Sequence, residues 1–461
     1  MNDVRGLFRR TADHAADFLE TLDERPVFPH VDVDELREAL GGPLPDGPTD
    51  PGTVIDDLVA GAGPGVVATP SGRYFGFVIG GAVPAAVAAD WLTSAWDQNA
   101  GLYVAGPSAS VVEEVAGGWV RELLGLPRES SFAFVTGCQM ANFTALAIAR
   151  RHVLAEAGWD VNADGLTGAP RVRVLCGAKV HVTVTRALRM LGLGAPALVE
   201  ADDQGRMVAD ALRGALRDSE APTIVCAQAG EVNTGSFDPL PEIAAAAHDA
   251  GAWLHVDGAF GLWAAASPAY AHLVAGVELA DSWATDAHKW LNVPYDCGIV
   301  LCRHPEAHRR AIGAQAVYLI QDGDSVRDQM DWTPEFSRRA RGFGVYAAIR
   351  SLGRQGIAEM VERTCLHARR FADALASLPG FELLNDVVLN QVLFRFEANK
   401  RTDEVVRRVQ DSGEAWLSGT VWDGRRAIRI SVSNWQTSDD DVDRAVAAFR
   451  AAVYAGQAPA R

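Results

Sequence analysis

The sequence is short of lysine. Lys179, Lys289 and Lys400 are the only three among 42 basic residues, so a reaction that needs a side-chain primary amine has three candidates. Long apolar runs are also missing. The stretch from about 75 to 89 is interrupted by Gly80, Gly81 and Pro84, and it is shorter than the roughly 20 residues of a membrane-spanning helix. The sequence therefore favours a protein without a membrane partner.

Three further absences narrow the class of protein. The six cysteines include no C-x-x-C pair and most lie in apolar runs, which predicts buried free thiols in a reducing cytoplasm and suggests no metal site. The first 20 residues fit an amphipathic helix and lack the features of a secretory signal. No G-x-G-x-x-G follows the early strands, which argues against a Rossmann dehydrogenase. We expect a cytoplasmic protein.

The composition is that of a globular protein, with 48% hydrophobic and 22% charged residues. The formal net charge of −17 is spread along the chain, which makes a nucleic-acid partner unfavourable. A length of 461 residues exceeds one ordinary core and predicts about two or three domains.

The pattern of apolar runs divides the chain into three parts. Residues 1–70 are predicted to form an N-terminal helical segment for dimerisation, residues 71–335 a large domain, and residues 336–461 a small C-terminal α+β domain whose last helix starts at an N-cap, Ser438. In the large domain, short apolar runs alternate with helical patterns, which predicts an α/β fold with a largely parallel sheet. Its candidate strands are 131–137, 171–177, 222–230, 252–259, 282–288 and 298–303.

Asp257 and Lys289 each follow an apolar strand of this sheet. Taken alone, the aspartate is typical of a carboxylate that caps a turn, and the lysine of a buried ion pair. Together they fit pyridoxal 5'-phosphate (PLP), which needs one lysine for a Schiff base and one carboxylate that keeps the pyridine nitrogen protonated. Ala259 has the small size required beneath the cofactor ring.

A phosphate site is indicated by residues 134–150, where an apolar strand runs through Gly137, Cys138 and Gln139 into a helix with Asn142 in its first turn. Free N–H groups and the dipole at such a helix start favour an anion, although strand–Gly–helix is common in α/β proteins. His181 follows the next strand. Taken alone, it is typical of a histidine in the core or at a helix start; in a PLP site it would stack on the cofactor ring.

This order of motifs resembles the PLP-dependent group II amino-acid decarboxylases, which have the aspartate-aminotransferase fold (fold type I) and include aromatic-L-amino-acid decarboxylase. The resemblance covers roughly residues 70 to 450. The segments that carry it are YFGF (74–77), TGCQMANFTAL (136–146), AKVHVTVTRAL (178–188), AGEVNTGSFDP (229–239), WLHVDGAFG (253–261) and DAHKWLNVPYDCG (286–298).

The resemblance implies a role for each matching residue. Lys289 is the Schiff-base lysine, Asp257 the partner of the pyridine nitrogen and His181 the stacking residue. The phosphate would be lined by Cys138, Gln139, Asp286 and His288, with Ser282 and Thr285 as weaker candidates.

Residues 316–328 resemble the family's mobile catalytic loop, in which Tyr318 would return a proton to the substrate carbon; the alternative is a plain surface loop. In the family this loop reaches the neighbouring subunit, which implies a homodimer with shared active sites. The sequence departs from the family pattern at Cys138-Gln139, at Glu231-Val232, where two threonines are frequent, and at Asp286, where asparagine is frequent.

The leading interpretation is decarboxylation of an L-amino acid to its amine and CO2. Aromatic residues expected near the pocket mouth favour an aromatic substrate: Tyr74, Phe75, Phe77, Trp96 and Tyr103. The alternative is that the YFGF segment packs in the core. An aminotransferase or a Cα–Cβ lyase is the alternative, with Arg429 as a carboxylate clamp unless it serves its own strand. Phenylalanine in place of Tyr318 would favour aldehyde formation. A non-catalytic relative is disfavoured because the Asp, His and Lys set is complete.

Overall fold

The computed structural model describes residues 3–217, 220–313 and 326–455. Helices alone form the first part of the chain, helices and strands alternate from about residue 131 to 312, and a second, smaller unit follows. The helices are α1 Val4–Glu20, α2 Val33–Leu40, α3 Pro51–Ala62, α4 Pro84–Trp96, α5 Pro107–Leu123, α6 Cys138–Glu156, α7 Val161–Asp164, α8 Val182–Met190, α9 Ala209–Leu216, α10 Leu240–Asp249, α11 Pro305–Ile312, α12 Gly342–Leu375, α13 Asn399–Asp411 and α14 Asp439–Tyr454.

The larger sheet has seven strands in the order β1-β7-β6-β5-β4-β2-β3. All neighbours are parallel except β7, which runs antiparallel to both β1 and β6. The predicted α/β class with a mostly parallel sheet is therefore confirmed. The strands are β1 Ser131–Val135, β2 Arg173–Gly177, β3 Ala197–Val199, β4 Thr223–Gln228, β5 Trp253–Asp257, β6 Ser282–Asp286 and β7 Gly298–Cys302.

The apolar runs of this sheet are explained by burial on both faces. In β1, Phe132 and Phe134 join one hydrophobic cluster, whereas Ala133 and Val135 point to another on the opposite face. Helix α6 packs on β5, β6 and β7, and α10 packs on β4 and β5. Each of the six predicted strands contains an observed one. The edge strand β3, with three residues, has no comparable run and was not predicted.

A second, antiparallel sheet in the order β10-β11-β9-β8 lies in the C-terminal part of the chain. Its core includes Phe394 and Phe396, which pack with α12 and α14. Ser438 accepts the N–H of Asp441 and caps α14, as predicted. The strands are β8 Phe381–Leu383, β9 Gln391–Phe396, β10 Ser418–Trp422 and β11 Arg425–Ser431.

The domain boundaries at 70/71 and 335/336 stay a prediction. Tyr74 and Phe75 contact the smaller sheet region, because the N–H of Phe75 donates to the carbonyl of Trp416 at 2.7 Å. All six cysteines are buried and free, as predicted for their side chains. Within residues 3–217, 220–313 and 326–455, no helix is both long and apolar enough to cross a bilayer.

Candidate active site

The parallel strands of the larger sheet end at one edge, and the candidate residues lie there. Gln228 in β4 is paired with Asp257 in β5, and Asp257 is paired with Ala284 in β6. The predicted site residues that follow β1, β2, β5 and β6 therefore converge, as expected for the carboxyl ends of strands in an open α/β sheet.

Lys289 is largely buried, with its side chain 19% exposed, and its Nζ lies 3.0 Å from Oδ2 of Asp286. Burial alone would lower the pKa of this lysine, but the Asp286 carboxylate, with smaller contributions from Cys138 and Asp257, raises it above its usual value. The backbone beside it is tightly packed, because a Cβ on Gly80 would overlap the Lys289 carbonyl oxygen.

Asp257 is buried and accepts hydrogen bonds at both oxygens. Oδ2 accepts from Nδ2 of Asn142 at 3.1 Å, and Oδ1 accepts from the N–H of Ala259 at 3.2 Å and from the Cys138 thiol at 3.4 Å. Such donors stabilise the ionised carboxylate in a buried place. Burial, followed by the charge of Asp257, raises the pKa of Cys138 well above its usual value, so this thiol stays protonated.

Behind Asp257 the hydrogen bonds continue into the sheet. Oδ1 of Asn142 lies 2.8 Å from Nε2 of His255, whose Nδ1 lies 3.0 Å from Oγ of Ser282. Burial lowers the pKa of His255 to about 4, so the ring is neutral. Asn142 was predicted as a cofactor-binding residue, and its amide is buried against Asp257, so its route to a cofactor is through that carboxylate.

The predicted phosphate turn lies at the start of α6. The N–H of Cys138 donates to Oδ1 of Asp286 at 2.6 Å, so a carboxylate already faces this helix start. A Cβ on Gly137 would lie 3.2 Å from Cε1 of His288, which shows how little room the turn leaves. Arg186 donates to Oε1 of Gln139 at 3.2 Å and brings a cation to the turn that sequence reasoning did not identify.

His181 is the N-cap of α8, and its Nδ1 accepts the N–H of Thr183 at 3.3 Å. Oγ1 of Thr183 lies 2.8 Å from the same nitrogen and 3.3 Å from Nδ2 of Asn142. The pKa of His181 is lowered, mainly by burial. The negative charge of Asp257 opposes this change, and the positive charges of Lys289 and Arg429 add to it. The ring is therefore neutral, and because Nδ1 accepts, its proton is on Nε2.

Aromatic rings adjoin the lysine, although not all those predicted. The ring of Tyr295 lies 4.3 Å from that of His288, and sequence reasoning missed it although it belongs to the DAHKWLNVPYDCG segment. Tyr74 and Phe77 both pack on Trp416, at 5.0 and 5.1 Å between ring centres, in the chain segment that continues to Gly80.

Three other predicted aromatic residues lie elsewhere. Phe75 is in the core of the smaller unit, edge-on to Phe371, and Trp96 packs against Phe343. Tyr103 is in a short 3-10 helix, where its N–H donates to Asp328. An aromatic residue in a sequence does not reveal whether its ring faces a pocket or a core, and for these three the core or a distant surface was correct.

Arg429 in β11 also faces this region, and its charge acts on His181. The residue is 8% exposed. Among the described residues, the guanidinium makes one hydrogen bond, in which Nη1 donates to Oδ1 of Asn233 at 3.4 Å. Its Nε has no partner, and no carboxylate of the described residues forms an ion pair with it. A buried guanidinium that no carboxylate contacts directly is suited to an incoming anion.

Three predicted site residues remain: Ser282 and Thr285, which were the weaker candidates for the phosphate site, and Tyr318, the predicted proton donor. Ser282 bonds His255, and Oγ1 of Thr285 donates to the carbonyl of Ala259 at 3.4 Å, so both act at a distance from the lysine. Tyr318 and most of the predicted catalytic loop lie outside the described residues.

The residues present fit PLP. An amine, a hydrogen-bonded buried carboxylate and a neutral histidine lie around one small space, and the helix start of α6 offers amide groups to a phosphate. The single poor match is Asp286, whose negative charge would lie beside the phosphate. Lys289 at 3.0 Å is the cation that offsets it, and the ring of His288, whose pKa is lowered by burial, lies at 3.6 Å.

Comparisons with known proteins agree with this chemistry. Residues 35–397 match the family described as the pyridoxal-dependent decarboxylase conserved domain. Aromatic-L-amino-acid decarboxylase of Bacillus atrophaeus is 26% identical over 458 residues, covering 95% of this chain and 93% of that protein. The 4-hydroxyphenylacetaldehyde synthase of Rhodiola rosea is 27% identical over 457 residues, covering 94% and 91%. The crystal structure of Oryza sativa TDC with PLP and tryptamine has the same fold, with a TM-score of 0.92, 24% identity and 98% of both chains covered.

Proposed function

This chain belongs to the pyridoxal-dependent decarboxylase family, and we propose that it converts an aromatic L-amino acid to its amine and CO2 at the site around Lys289. The observation that carries the proposal is the convergence of Lys289, Asp257 and His181 at one edge of the sheet. Asp257 is buried and accepts a hydrogen bond at each oxygen, which fixes its carboxyl group for a contact with a ring nitrogen.

Bound PLP supplies an electron sink for the bond between the α-carbon and the carboxyl group. Lys289 would hold the cofactor covalently, Asp257 would hold the proton on its ring nitrogen, and the turn at Cys138 and Gln139 would line its phosphate, with the N–H of Cys138 exchanging Asp286 for a phosphate oxygen. His181 would stack on the ring, and its Nε2 proton is free to donate to the substrate carboxylate.

Arg429 is the strongest candidate for the main contact to that carboxylate. The guanidinium is buried, has no ion pair among the described residues and acts electrostatically on His181. A carboxylate held by Arg429 and His181 has a fixed direction, which is what selective cleavage of one bond to the α-carbon requires.

The aromatic preference rests on the ring of Tyr295, which lies 4.3 Å from that of His288, and on the rings of Tyr74 and Phe77, which pack on Trp416. Relatives named as aromatic-L-amino-acid and tryptophan decarboxylases support the same class of substrate. Tyr318, present in the sequence at the predicted proton-donor position, favours the amine over the aldehyde, although relatives named as aldehyde synthases make the aldehyde the alternative product.

A homodimer in the cytoplasm completes the proposal. Trp91, Leu92 and Trp96 on α4 are each about half exposed, at 47%, 48% and 50%. Large apolar side chains grouped on one helix are costly in water and typical of a subunit interface.

The test is product analysis of the purified, PLP-loaded protein with L-tryptophan, L-tyrosine, L-phenylalanine and, as non-aromatic controls, L-glutamate and L-leucine. We expect equal amounts of amine and CO2 from at least one aromatic substrate. Aldehyde in place of amine, or keto acid without CO2, would contradict the proposed reaction, and turnover of glutamate or leucine alone would contradict the substrate class.

A further inference from the structure

A buried carboxylate, Glu231, lies in the turn that follows β4, at a position where threonine is frequent in the family pattern. Its Oε2 accepts the N–H groups of Asn233 and Thr234 at 2.7 and 2.8 Å, and its Oε1 accepts Nδ2 of Asn233 at 3.0 Å. Burial raises the pKa of Glu231, and these hydrogen bonds oppose the rise. The carboxylate therefore organises the turn and one side-chain amide.

The amide of Asn233 is oriented by its neighbours. Its Nδ2 faces the Glu231 carboxylate, whereas its Oδ1 accepts from Oγ1 of Thr420 at 3.0 Å and from Nη1 of Arg429 at 3.4 Å. The reverse orientation would place an NH2 group against the guanidinium of Arg429, which can only donate, and an oxygen against a carboxylate. Glu231 thus determines that Asn233 offers an acceptor to Arg429.

Arg429 has no other side-chain hydrogen bond among the described residues. Burial lowers the pKa of its guanidinium, and the charge of Glu231 partly offsets this. A guanidinium binds a carboxylate best when its plane is fixed beforehand, because fixing it on binding costs conformational entropy.

We propose that Glu231 and Asn233 are positioning residues that fix the guanidinium of Arg429 for the α-carboxylate of the substrate. They would raise affinity for the amino acid without affecting its amine product, which lacks that carboxylate. This inference rests on the proposed function, since it requires an α-amino acid as the substrate.

Glu231→Gln separates this role from a simple charge effect. Removing a buried negative charge would, by electrostatics alone, strengthen the binding of an anionic carboxylate and lower KM. The new glutamine has one NH2 group, which must face either the backbone N–H groups or the side chain of Asn233. If it faces Asn233, the Asn233 amide turns over and directs its own NH2 group towards Arg429. Positioning therefore predicts the opposite sign, a higher KM.

The experiment uses the PLP-loaded enzyme and the aromatic amino acid that it turns over fastest. Glu231→Gln and Asn233→Leu should each raise KM about tenfold, the factor for a lost hydrogen bond to a charged group. The inhibition constant of the corresponding amine should stay within about twofold of wild type, because the amine does not contact Arg429. Glu231→Asp keeps a carboxylate that only accepts hydrogen bonds, so it should raise KM less than Glu231→Gln does.

Glu306→Gln, the same change at an exposed glutamate on α11, is the control and should leave both constants unchanged. An unchanged or lower KM in both test variants overturns the inference, and so does a parallel rise in the amine inhibition constant, which indicates a general loss of structure. Asn233→Leu keeps the Glu231 carboxylate and its backbone bonds, so it decides the matter if Glu231→Gln does not fold. A wild-type enzyme that releases no CO2 from any amino acid would instead show that the proposed function has failed.

Discussion

The side-chain amide of Asn142 lies 3.1 Å from Oδ2 of Asp257, and the other end of the same amide contacts His255 at 2.8 Å. Asn142 thereby links the carboxylate that would face the cofactor to a neutral histidine inside the sheet. Two hydrogen bonds through the Thr183 hydroxyl also link it to His181. One buried amide therefore positions two of the proposed cofactor contacts.

Asn142→Leu should weaken PLP binding by about tenfold or more, because a buried carboxylate that loses a donor is destabilised in its ionised form. The dissociation constant of PLP, measured by absorbance titration of the cofactor-free protein, checks this. Asn162→Leu, at an exposed asparagine, is the matched control. An Asn142→Leu protein that folds normally and binds PLP as tightly as wild type would contradict the role given to this amide.

Asp286→Asn should strengthen PLP binding by about tenfold, since it removes a negative charge beside the phosphate. The same change removes the group that raises the pKa of Lys289, so more of the lysine is unprotonated near neutral pH. PLP loading, followed by absorbance against pH, should therefore extend to lower pH in the variant. Weaker binding by Asp286→Asn would instead mean that Asp286 supports the cofactor.

The stability of the protein should fall in acid, partly because of His308. Burial lowers its folded-state pKa to about 3, below the unfolded value of roughly 6.5, so the unfolded chain binds the proton first. The stability that the neutral ring supports is complete above pH 6.5 and is lost as the pH falls from 6.5 towards 3, by an amount on the order of 4 kcal/mol.

His308→Gln keeps a donor for the Trp332 carbonyl, which Nε2 of His308 contacts at 2.9 Å, but has no proton to gain. The Tm of this variant should fall less than that of wild type between pH 7.5 and pH 5, with His272→Gln as an exposed control. Equal losses of Tm in wild type and His308→Gln would refute the assignment.

Trp91→Glu should convert the proposed dimer to monomers, because a charge would be buried in an apolar interface. Light scattering after size-exclusion chromatography measures the mass, and decarboxylase activity should fall in step with the dimer fraction if the active site is shared. Fully active monomers would contradict the shared site, and an intact dimer would place the interface elsewhere.

The sequence allowed the sheet and the residues at its edge to be predicted, because strands buried on both faces are nearly continuous apolar runs and polar residues at their ends stand out. Asp257, His181 and Lys289 were found in this way. The edge strand β3 and the short β8 were missed, since three-residue strands leave almost no pattern.

Side-chain direction was the part that the sequence could not supply. The sequence placed Asn142 in the segment of the phosphate site without showing that its amide contacts Asp257, and it left Arg429 open between a carboxylate clamp and a role in its own strand without showing its contact with Asn233. Both depend on which rotamer packs against residues more than a hundred positions away. Phe75 shows the same limit, since its place in the smaller core follows from contacts with α12 and not from the YFGF segment.

The central claim is that Lys289 carries PLP, and borohydride reduction of the loaded protein followed by peptide mass spectrometry tests it most directly. With only three lysines in the chain, the assignment is unambiguous. We predict a pyridoxyl group on the peptide that contains Lys289 and none in Lys289→Ala. A pyridoxyl group on Lys179 or Lys400, or no covalent cofactor on an enzyme that still releases CO2, would contradict the account.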